Sequence, residues 1–161
     1  MDGATSGMST SGTTSKDKII ALLSDVNRKG IDKVIVYLLQ SDYFTAHCHH
    51  HHRYEGGLAD HSLSVYYEMR IVAPELSDES CRIVALLHDI CTSHHDEYDY
   101  IAQHHHGVRS IELLKAFDLE LQTDESLAIR NHMHKVPYAE LSEETKLWHF
   151  LHLCDKRSAI E

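Results

Sequence analysis

The sequence lacks a hydrophobic stretch of the length that a membrane-spanning helix needs. A helix needs roughly 20 consecutive apolar residues to cross a bilayer, and no run in this chain approaches that length. A basic N-terminus followed by an apolar stretch, which marks a secretory signal peptide, is also missing. These absences argue against membrane insertion and against secretion, so we expect a cytoplasmic protein with no membrane partner.

Paired cysteines and an excess of basic residues are absent as well. The four cysteines (Cys48, Cys81, Cys91 and Cys154) are scattered and none belongs to a CxxC pair, so neither a zinc ribbon nor a disulfide framework is indicated. Reduced thiols are the simpler interpretation. The formal net charge of −10 argues against long nucleic acid as a partner, because a phosphate backbone requires a basic surface. A small phosphorylated substrate stays compatible with this charge, since a metal ion could neutralise the phosphate locally.

No segment shows the sustained alternation that predicts a β-strand, and internal repeats are absent. Apolar residues instead recur at helical spacing, which predicts an all-α protein. We assign residues 16–161 to one domain, and residues 1–15, which are rich in Ser, Thr and Gly, to a disordered leader. Ser77 and Thr123 are predicted N-caps. The predicted helices are Lys16–Lys29, Asp32–Gln40, Leu58–Val72, Asp78–Cys91, His105–Phe117, Asp124–His134 and Ser142–Ile160.

Histidine is the residue that the sequence has in excess. Sixteen of the 161 residues are histidine, and histidine is the commonest metal ligand in proteins. The informative pair is His88-Asp89, which follows the apolar run Ile83–Leu87 in a helix that we expect to be central and buried. Burying two such side chains without partners is costly. A divalent metal ion would compensate this cost, and a buried ion pair is the alternative for an isolated dipeptide.

Three segments set this pair in a wider pattern. They are GGLADHSLSV at 56–65, VALLHDIC at 84–91 and LHLCDKRSA at 151–159. In their order and helical setting they resemble the three signatures of HD-domain phosphohydrolases. The resemblance implies a compact helical bundle with a central cleft, in which one metal ion is bound by the four residues His61, His88, Asp89 and Asp155.

Two further segments, HGVRSIELL and AIRNHM, resemble those that supply extra histidines in binuclear members of the family. The first indicates His106, which the following glycine distinguishes from His104 and His105; the second indicates His132. His134 lies two residues further on, so on a helix it would face away from His132 and only one of the two could ligate. The resemblance implies two divalent transition metal ions. Mixed imidazole and carboxylate ligands suit Mn, Fe, Co, Ni or Zn. A surface histidine is the alternative for each extra ligand.

Basic residues beside the predicted ligands are candidates for substrate binding. Arg109 lies three residues after His106, hence on the same helix face, and its guanidinium can hold phosphate with two hydrogen bonds. Lys156, which adjoins Asp155, and His134 are further candidates. An exposed basic residue without a function is the alternative for Lys156, and a surface position is the alternative for His134.

The loop over residues 41–57 contains the run His49–His52. In similar proteins a histidine precedes the Tyr-Glu-Gly-Gly element by a few residues, and His51 or His52 best matches that place. The resemblance implies that this histidine contacts the substrate phosphate or the metal-bound water. For the other histidines of this loop a solvated position is the simpler interpretation. One departure concerns the substrate: many family members carry a lysine soon after the HD pair, where this chain has Thr92.

The resemblance implies metal-dependent hydrolysis of a phosphoester, in a nucleotide or cyclic nucleotide, by a hydroxide that bridges the two ions. Asp89, Arg109 and His52 are the candidate catalytic residues. Two alternatives remain open: a di-iron oxygenase of the same superfamily that cleaves a C–C or C–P bond, and a protein that binds or sequesters a nucleotide without turnover. A homo-oligomer is compatible with the tyrosine and leucine residues of the first two helices, although core packing explains them equally well.

Overall fold

Helices joined by turns make up the part of the chain that the structure describes. The computed structural model describes residues 14–46, 54–93 and 106–159, and these ranges contain no strand. The helices are α1 (Ser15–Ser24), α2 (Ile31–Gln40), α3 (Gly57–Val72), α4 (Asp78–Leu87), α5 (His106–Ala116), α6 (Thr123–Arg130) and α7 (Lys146–Ala159), with short 3-10 helices at Ile90–Ser93 and Tyr138–Glu140. The predicted all-α class is confirmed. Within these ranges, no helix is both long enough and apolar enough to cross a membrane.

Polar side chains define where several helices begin. Thr14 caps α1 by accepting a hydrogen bond from a backbone N–H of its first turn; of the predicted leader, residues 1–13 lie outside the described ranges. Ser77 caps α4 in the same way, as predicted. The predicted cap of α6 was wrong by one residue: Gln122, not Thr123, caps that helix, in a reciprocal capping box with Glu125.

Four of the predicted helices extend at least four residues beyond an observed end. α1 ends at Ser24 rather than Lys29, α4 at Leu87 rather than Cys91, and α6 at Arg130 rather than His134, whereas α7 begins at Lys146 rather than Ser142. At the end of α1, contacts with distant parts of the chain take the backbone out of the helix, whereas before α7 hydrogen bonds between Ser142 and Thr145 form a local turn.

The segment after α1 shows the physical reason. Arg28 donates two hydrogen bonds to the carboxylate of Glu125 in α6, at 2.6 and 2.7 Å, and one to Glu79 in α4 at 2.8 Å. The backbone N–H of Asn27 also donates to Glu79, at 3.1 Å. The Asn27 N–H is therefore satisfied by a side chain of another helix, and the Arg28 side chain is bound to α4 and α6, so α1 does not need to continue through this segment.

The core of the bundle positions the His-Asp pair. α3 packs against α1, α4 and α7, while α6 packs against α4, α5 and α7. Residues 83–87 of α4 are all fully buried, as predicted for a helix with little polar face. Burial of each large apolar side chain in this run stabilises the fold by about 1.5–3 kcal/mol. Since this run leads directly into His88 and Asp89, the core holds the pair at the centre of the molecule.

Candidate metal centre

Four of the predicted ligands converge in the middle of the bundle. His61 lies near the start of α3, His88 and Asp89 lie just after α4, and Asp155 lies in α7. One nitrogen or oxygen from each of these side chains lies within 4.8 Å of those from the others. Both histidines are fully buried. A group of this composition and spacing could hold a metal ion.

The carboxylates lie within reach of both imidazoles. His61 Nε2 is 2.7 Å from Asp155 Oδ1 and 3.9 Å from Asp89 Oδ2. His88 Nε2 is 3.1 Å from Asp89 Oδ2 and 3.4 Å from Asp155 Oδ1. The two nitrogens therefore face one pair of carboxylate oxygens, and a single ion among them could contact all four side chains.

His132 approaches the other oxygen of Asp89. Its Nε2 lies 3.1 Å from Asp89 Oδ1, and its side chain is fully buried. The expectation that His132 and His134 share a helix was wrong, because α6 ends at Arg130 and both residues lie beyond it. The backbone after α6 separates them instead: His132 turns into the core, whereas His134 is exposed.

Each of these three imidazoles has its Nδ1 held by a hydrogen bond. Nδ1 of His88 and of His132 lies 2.8 and 2.7 Å from the backbone carbonyl oxygen three residues earlier. Nδ1 of His61 lies 3.0 Å from Ser158 Oγ. Because a carbonyl oxygen can only accept, Nδ1 of His88 and His132 must donate. In the neutral rings the lone pair on Nε2 is then directed at the cluster, which is the usual arrangement of metal-ligating histidines.

His88 Nε2 tests whether a metal ion fits this arrangement. The atom is buried and has no hydrogen-bond partner among the described residues, although oxygens of Asp89 and Asp155 lie 3.1 and 3.4 Å away. Those oxygens are close enough for charge attraction but do not meet the geometry of a hydrogen bond. A buried nitrogen without a partner is costly. A cation between this nitrogen and the two carboxylates would satisfy all three groups, so the donor set fits a divalent metal ion.

Attraction between opposite charges dominates the electrostatics of the cluster. Burial lowers the pKa of His88, but the carboxylates of Asp89 and Asp155 outweigh burial and raise that pKa well above its usual value. Burial likewise raises the pKa of both carboxyl groups, and the neighbouring histidines outweigh it and hold both pKa values below their usual range. The carboxylates thus attract a positive charge, and a metal ion would displace the imidazole proton, because only neutral imidazole ligates.

The start of α5 lies close to the cluster. The backbone N–H of Cys91 donates to Ser110 Oγ at 3.2 Å, and its thiol donates to the carbonyl of His106 at 3.3 Å. Cys91 is two residues after Asp89 in the chain. His106, predicted from the sequence as an extra ligand, therefore begins a helix that is attached to the segment leaving the His-Asp pair.

The glycine that distinguished His106 from its neighbours has a packing reason. Gly107 lies directly against the backbone carbonyl of Arg130, and an added Cβ would overlap that oxygen. Arg130 ends α6 two residues before His132. This close approach brings the two segments that carry His106 and His132 together, on the same side of the bundle.

The predicted phosphate-binding residue Arg109 is exposed. It lines a shallow cavity of about 310 Å³ together with Cys91, Glu112, Leu113 and Ala116. Arg109 thus lies beside the segment that follows the His-Asp pair, at the start of the same helix as His106.

A larger cavity lies between the chain after α6 and α7. Its volume is about 640 Å³, and its lining residues are Met133, His134, Lys135, His149, His152, Leu153 and Lys156. Two predicted substrate-binding residues, His134 and Lys156, therefore line one cavity. The predicted residues His51 and His52 lie outside the described ranges.

Two residues that were not predicted support the cluster. Ser158 is fully buried beside His61 Nδ1, and His152 Nδ1 lies 2.9 Å from the backbone carbonyl of His132. Each lies three residues from Asp155 in α7, so both share its helix face. That spacing is the signal in the sequence that could have identified them.

The family comparison agrees with this geometry. Residues 58–160 match the HD domain family, and this match covers more than half of the chain. The chain therefore belongs to the HD domain family, and the resemblance inferred from the three segments is confirmed. HD domains bind divalent metal ions, and their members are generally hydrolases. Comparisons with curated proteins and with solved structures gave no match.

Proposed function

We propose that this HD domain is a metal-dependent phosphohydrolase that cleaves a phosphoester in a small substrate, for which a nucleotide or cyclic nucleotide is the class we favour. One observation carries the proposal: three buried imidazoles, each with its Nδ1 held, direct Nε2 at two carboxylates in the core. Stability alone does not require such a cluster, since well-packed apolar residues often stabilise a core as well as buried ionic groups do. The cluster is therefore best explained by chemistry.

The two oxygens of Asp89 support a site for two ions. We assign one ion to His61, His88, Asp89 and Asp155. The second ion would be bound by Asp89, His132 and His106, because Oδ1 of Asp89 faces His132 whereas Oδ2 faces His88. The mixed ligands suit Mn, Fe, Co, Ni or Zn. When bound, such ions supply Lewis acidity and lower the pKa of water towards neutrality.

Residues of the chain would bind the phosphate and supply protons. Arg109 could hold two phosphate oxygens through its guanidinium and stabilise the charge that develops on them. Lys156 and His134 could contact the substrate from the cavity along α7. We assign the protonation of the leaving oxygen to His52, with His51 as a further contact; both assignments rest on the sequence pattern.

Metal content and phosphoester hydrolysis of an Asp89→Asn variant test this proposal. The substitution keeps the shape of the side chain and removes its charge. Asp118→Asn is the matched control, because Asp118 is exposed and its positive φ of 60° is tolerated by Asn as well as by Asp. We expect about two ions per chain in the wild type and in the control, from the binuclear arrangement. Asp89→Asn should lose metal, with phosphoester hydrolysis at least about 100-fold slower.

The protein should be purified without nickel resin, since its histidine run would bind nickel. Elemental analysis then measures metal. Chromatography of the products from a panel of nucleotides and cyclic dinucleotides with added Mn²⁺ measures phosphoester hydrolysis, because a cyclic diester opens to a linear nucleotide and frees no inorganic phosphate. A wild type that binds no metal after reconstitution would overturn the proposal. Two irons with oxygen consumption and no phosphoester hydrolysis would favour the oxygenase. Metal together with a retained, unaltered nucleotide would favour a binding protein.

A further inference from the structure

The cavity along α7 is basic although the protein is acidic. We call it the α7 cleft and define it by its lining residues, Met133, His134, Lys135, His149, His152, Leu153 and Lys156. None of these residues is acidic, whereas the chain as a whole has a formal net charge of −10. Its volume of about 640 Å³ falls within the range of small-molecule sites, roughly 300–1,000 Å³. The local charge therefore favours an anionic ligand.

Hydrogen bonds from α7 occupy two backbone acceptors next to the cleft. Trp148 Nε1 donates to the carbonyl of His134 at 2.8 Å, and His152 Nδ1 donates to the carbonyl of His132 at 2.9 Å. Carbonyl oxygens directed at an anion would repel it. With these two oxygens engaged, the donors that the lining presents to a ligand are chiefly its lysine ammonium groups.

The α7 cleft adjoins the metal centre along the chain. Met133 follows His132, and Lys156 follows Asp155. The lining residues of α7 lie at positions 149, 152, 153 and 156, the spacing of one helix face. At 1.5 Å per residue this face extends over about 10 Å, which is longer than a single phosphate group.

We propose that the α7 cleft binds a phosphate group of the substrate other than the one at the metal centre, so that the preferred substrate carries at least two phosphates. This inference rests on the proposed hydrolase function and specifies its substrate class. Lys135 and Lys156 supply the positive charge, and His149 can supply a further donor. The exposed side chains of Met133 and Leu153 offer apolar contacts to the rest of the substrate.

Binding of inorganic pyrophosphate to metal-free protein tests the cleft without catalysis. Isothermal titration calorimetry should compare pyrophosphate with orthophosphate for the wild type, Lys135→Gln and His149→Gln. Lys115→Gln on α5 is the matched control, because Lys115 is an exposed lysine outside the cleft. We expect pyrophosphate to bind at least about tenfold more tightly than orthophosphate, and Lys135→Gln to weaken its binding about tenfold, the effect of one charge-assisted hydrogen bond. Lys115→Gln should bind as the wild type does.

Kinetics of the metal-loaded enzyme extend the test. Lys135→Gln should raise KM about tenfold for a nucleoside diphosphate and leave KM for the matching monophosphate unchanged. Equal binding of pyrophosphate by Lys135→Gln and Lys115→Gln would overturn the proposed role of the cleft and leave the hydrolase proposal intact if metal-dependent phosphoester hydrolysis persists. Pyrophosphate binding that depends on Lys135, without phosphoester hydrolysis of any substrate, would instead overturn the hydrolase proposal and leave an anion site.

Discussion

Gly107 lies so close to the backbone carbonyl of Arg130 that no side chain fits between them. Gly107→Ala should therefore push α5 away from α6, at a cost of about 1–3 kcal/mol in the free energy of unfolding. We also expect weaker metal binding, because His106 and His132 flank this contact in the chain. Urea unfolding and metal analysis measure the two effects.

A matched control for this prediction is available on the same helix. Lys115 is exposed in the last turn of α5, so Lys115→Ala should change the free energy of unfolding by no more than about 0.5 kcal/mol. If Gly107→Ala were as stable as Lys115→Ala and kept its metal, the close approach of the two helices would not matter for the site.

Ser158→Ala should weaken metal binding without unfolding the protein. Its hydroxyl lies 3.0 Å from His61 Nδ1. Loss of a hydrogen bond to the second nitrogen of a metal-ligating histidine typically lowers metal affinity about 10–100-fold. Ser62→Ala is a close control, since Ser62 is also fully buried and its hydroxyl has no hydrogen-bond partner in the part of the chain that the structure describes. Competition with a chromophoric chelator measures both affinities; equal values for the two variants would contradict the role of Ser158.

Glu125 makes the stability depend on pH. Burial raises its pKa, but hydrogen bonds from Arg28, from Ser80 and from the backbone outweigh burial and lower the pKa below the usual 4.5. Because the folded-state pKa is the lower one, this stabilisation is complete above pH 4.5 and is lost as pH falls through the folded-state value. Glu125→Gln should cost about 1.5–3 kcal/mol at pH 7, since Arg28 loses this charge partner and keeps Glu79.

The stability difference between wild type and Glu125→Gln should shrink as the pH falls below 4.5. Urea unfolding of metal-free protein between about pH 3.5 and 7 measures it, bracketing the ordinary pKa of a glutamate. Glu112→Gln, an exposed change on α5, should follow the wild-type pH profile. A difference for Glu125→Gln that stays constant over this range would show that the carboxylate does not cause the pH dependence.

We expect the thiols of Cys91, in the segment after the His-Asp pair, and of Cys154, in α7, to be unreactive in the folded protein. Burial is the main reason that the pKa of Cys91 and of Cys154 rises to about 12, and only the thiolate reacts with iodoacetamide. Cys48, which lies outside the described ranges, is replaced by serine so that it does not contribute to the reaction. In this Cys48→Ser background at pH 8, alkylation of the folded protein should be at least about 100-fold slower than alkylation of the protein unfolded in urea. Intact-mass spectrometry follows the reaction, and equal rates in the two conditions would contradict the burial of these thiols.

Local signals account for the parts of the fold and site that were predictable. Helical spacing of apolar residues identified the class, and the buried run before His88 indicated a central helix, because both depend on neighbours in sequence. The three short segments that suggested the family also carry the four residues that converge, His61, His88, Asp89 and Asp155. The prediction of Ser77 as a cap was correct for the same reason: a cap bonds within its own turn.

Helix ends and supporting contacts were not predictable in this way. Arg28 lies beyond the end of α1 because its hydrogen-bond partners lie in α4 and α6. No pattern in the neighbouring sequence predicts those partners. His132 reaches Asp89 from the turn after α6, although apolar periodicity continues through that turn and predicted a helix.

The sequence by itself thus determined the all-α class, the family and the residue types available for a metal site. Each of these follows from the spacing of residues that lie within a few helical turns of one another. Only the tertiary structure decided which nitrogen of each imidazole faces the cluster, which oxygen of Asp89 faces which histidine, and that His134 and Lys156 share a basic cleft. Those relations depend on distances between segments far apart in the chain, and packing of the whole bundle sets them.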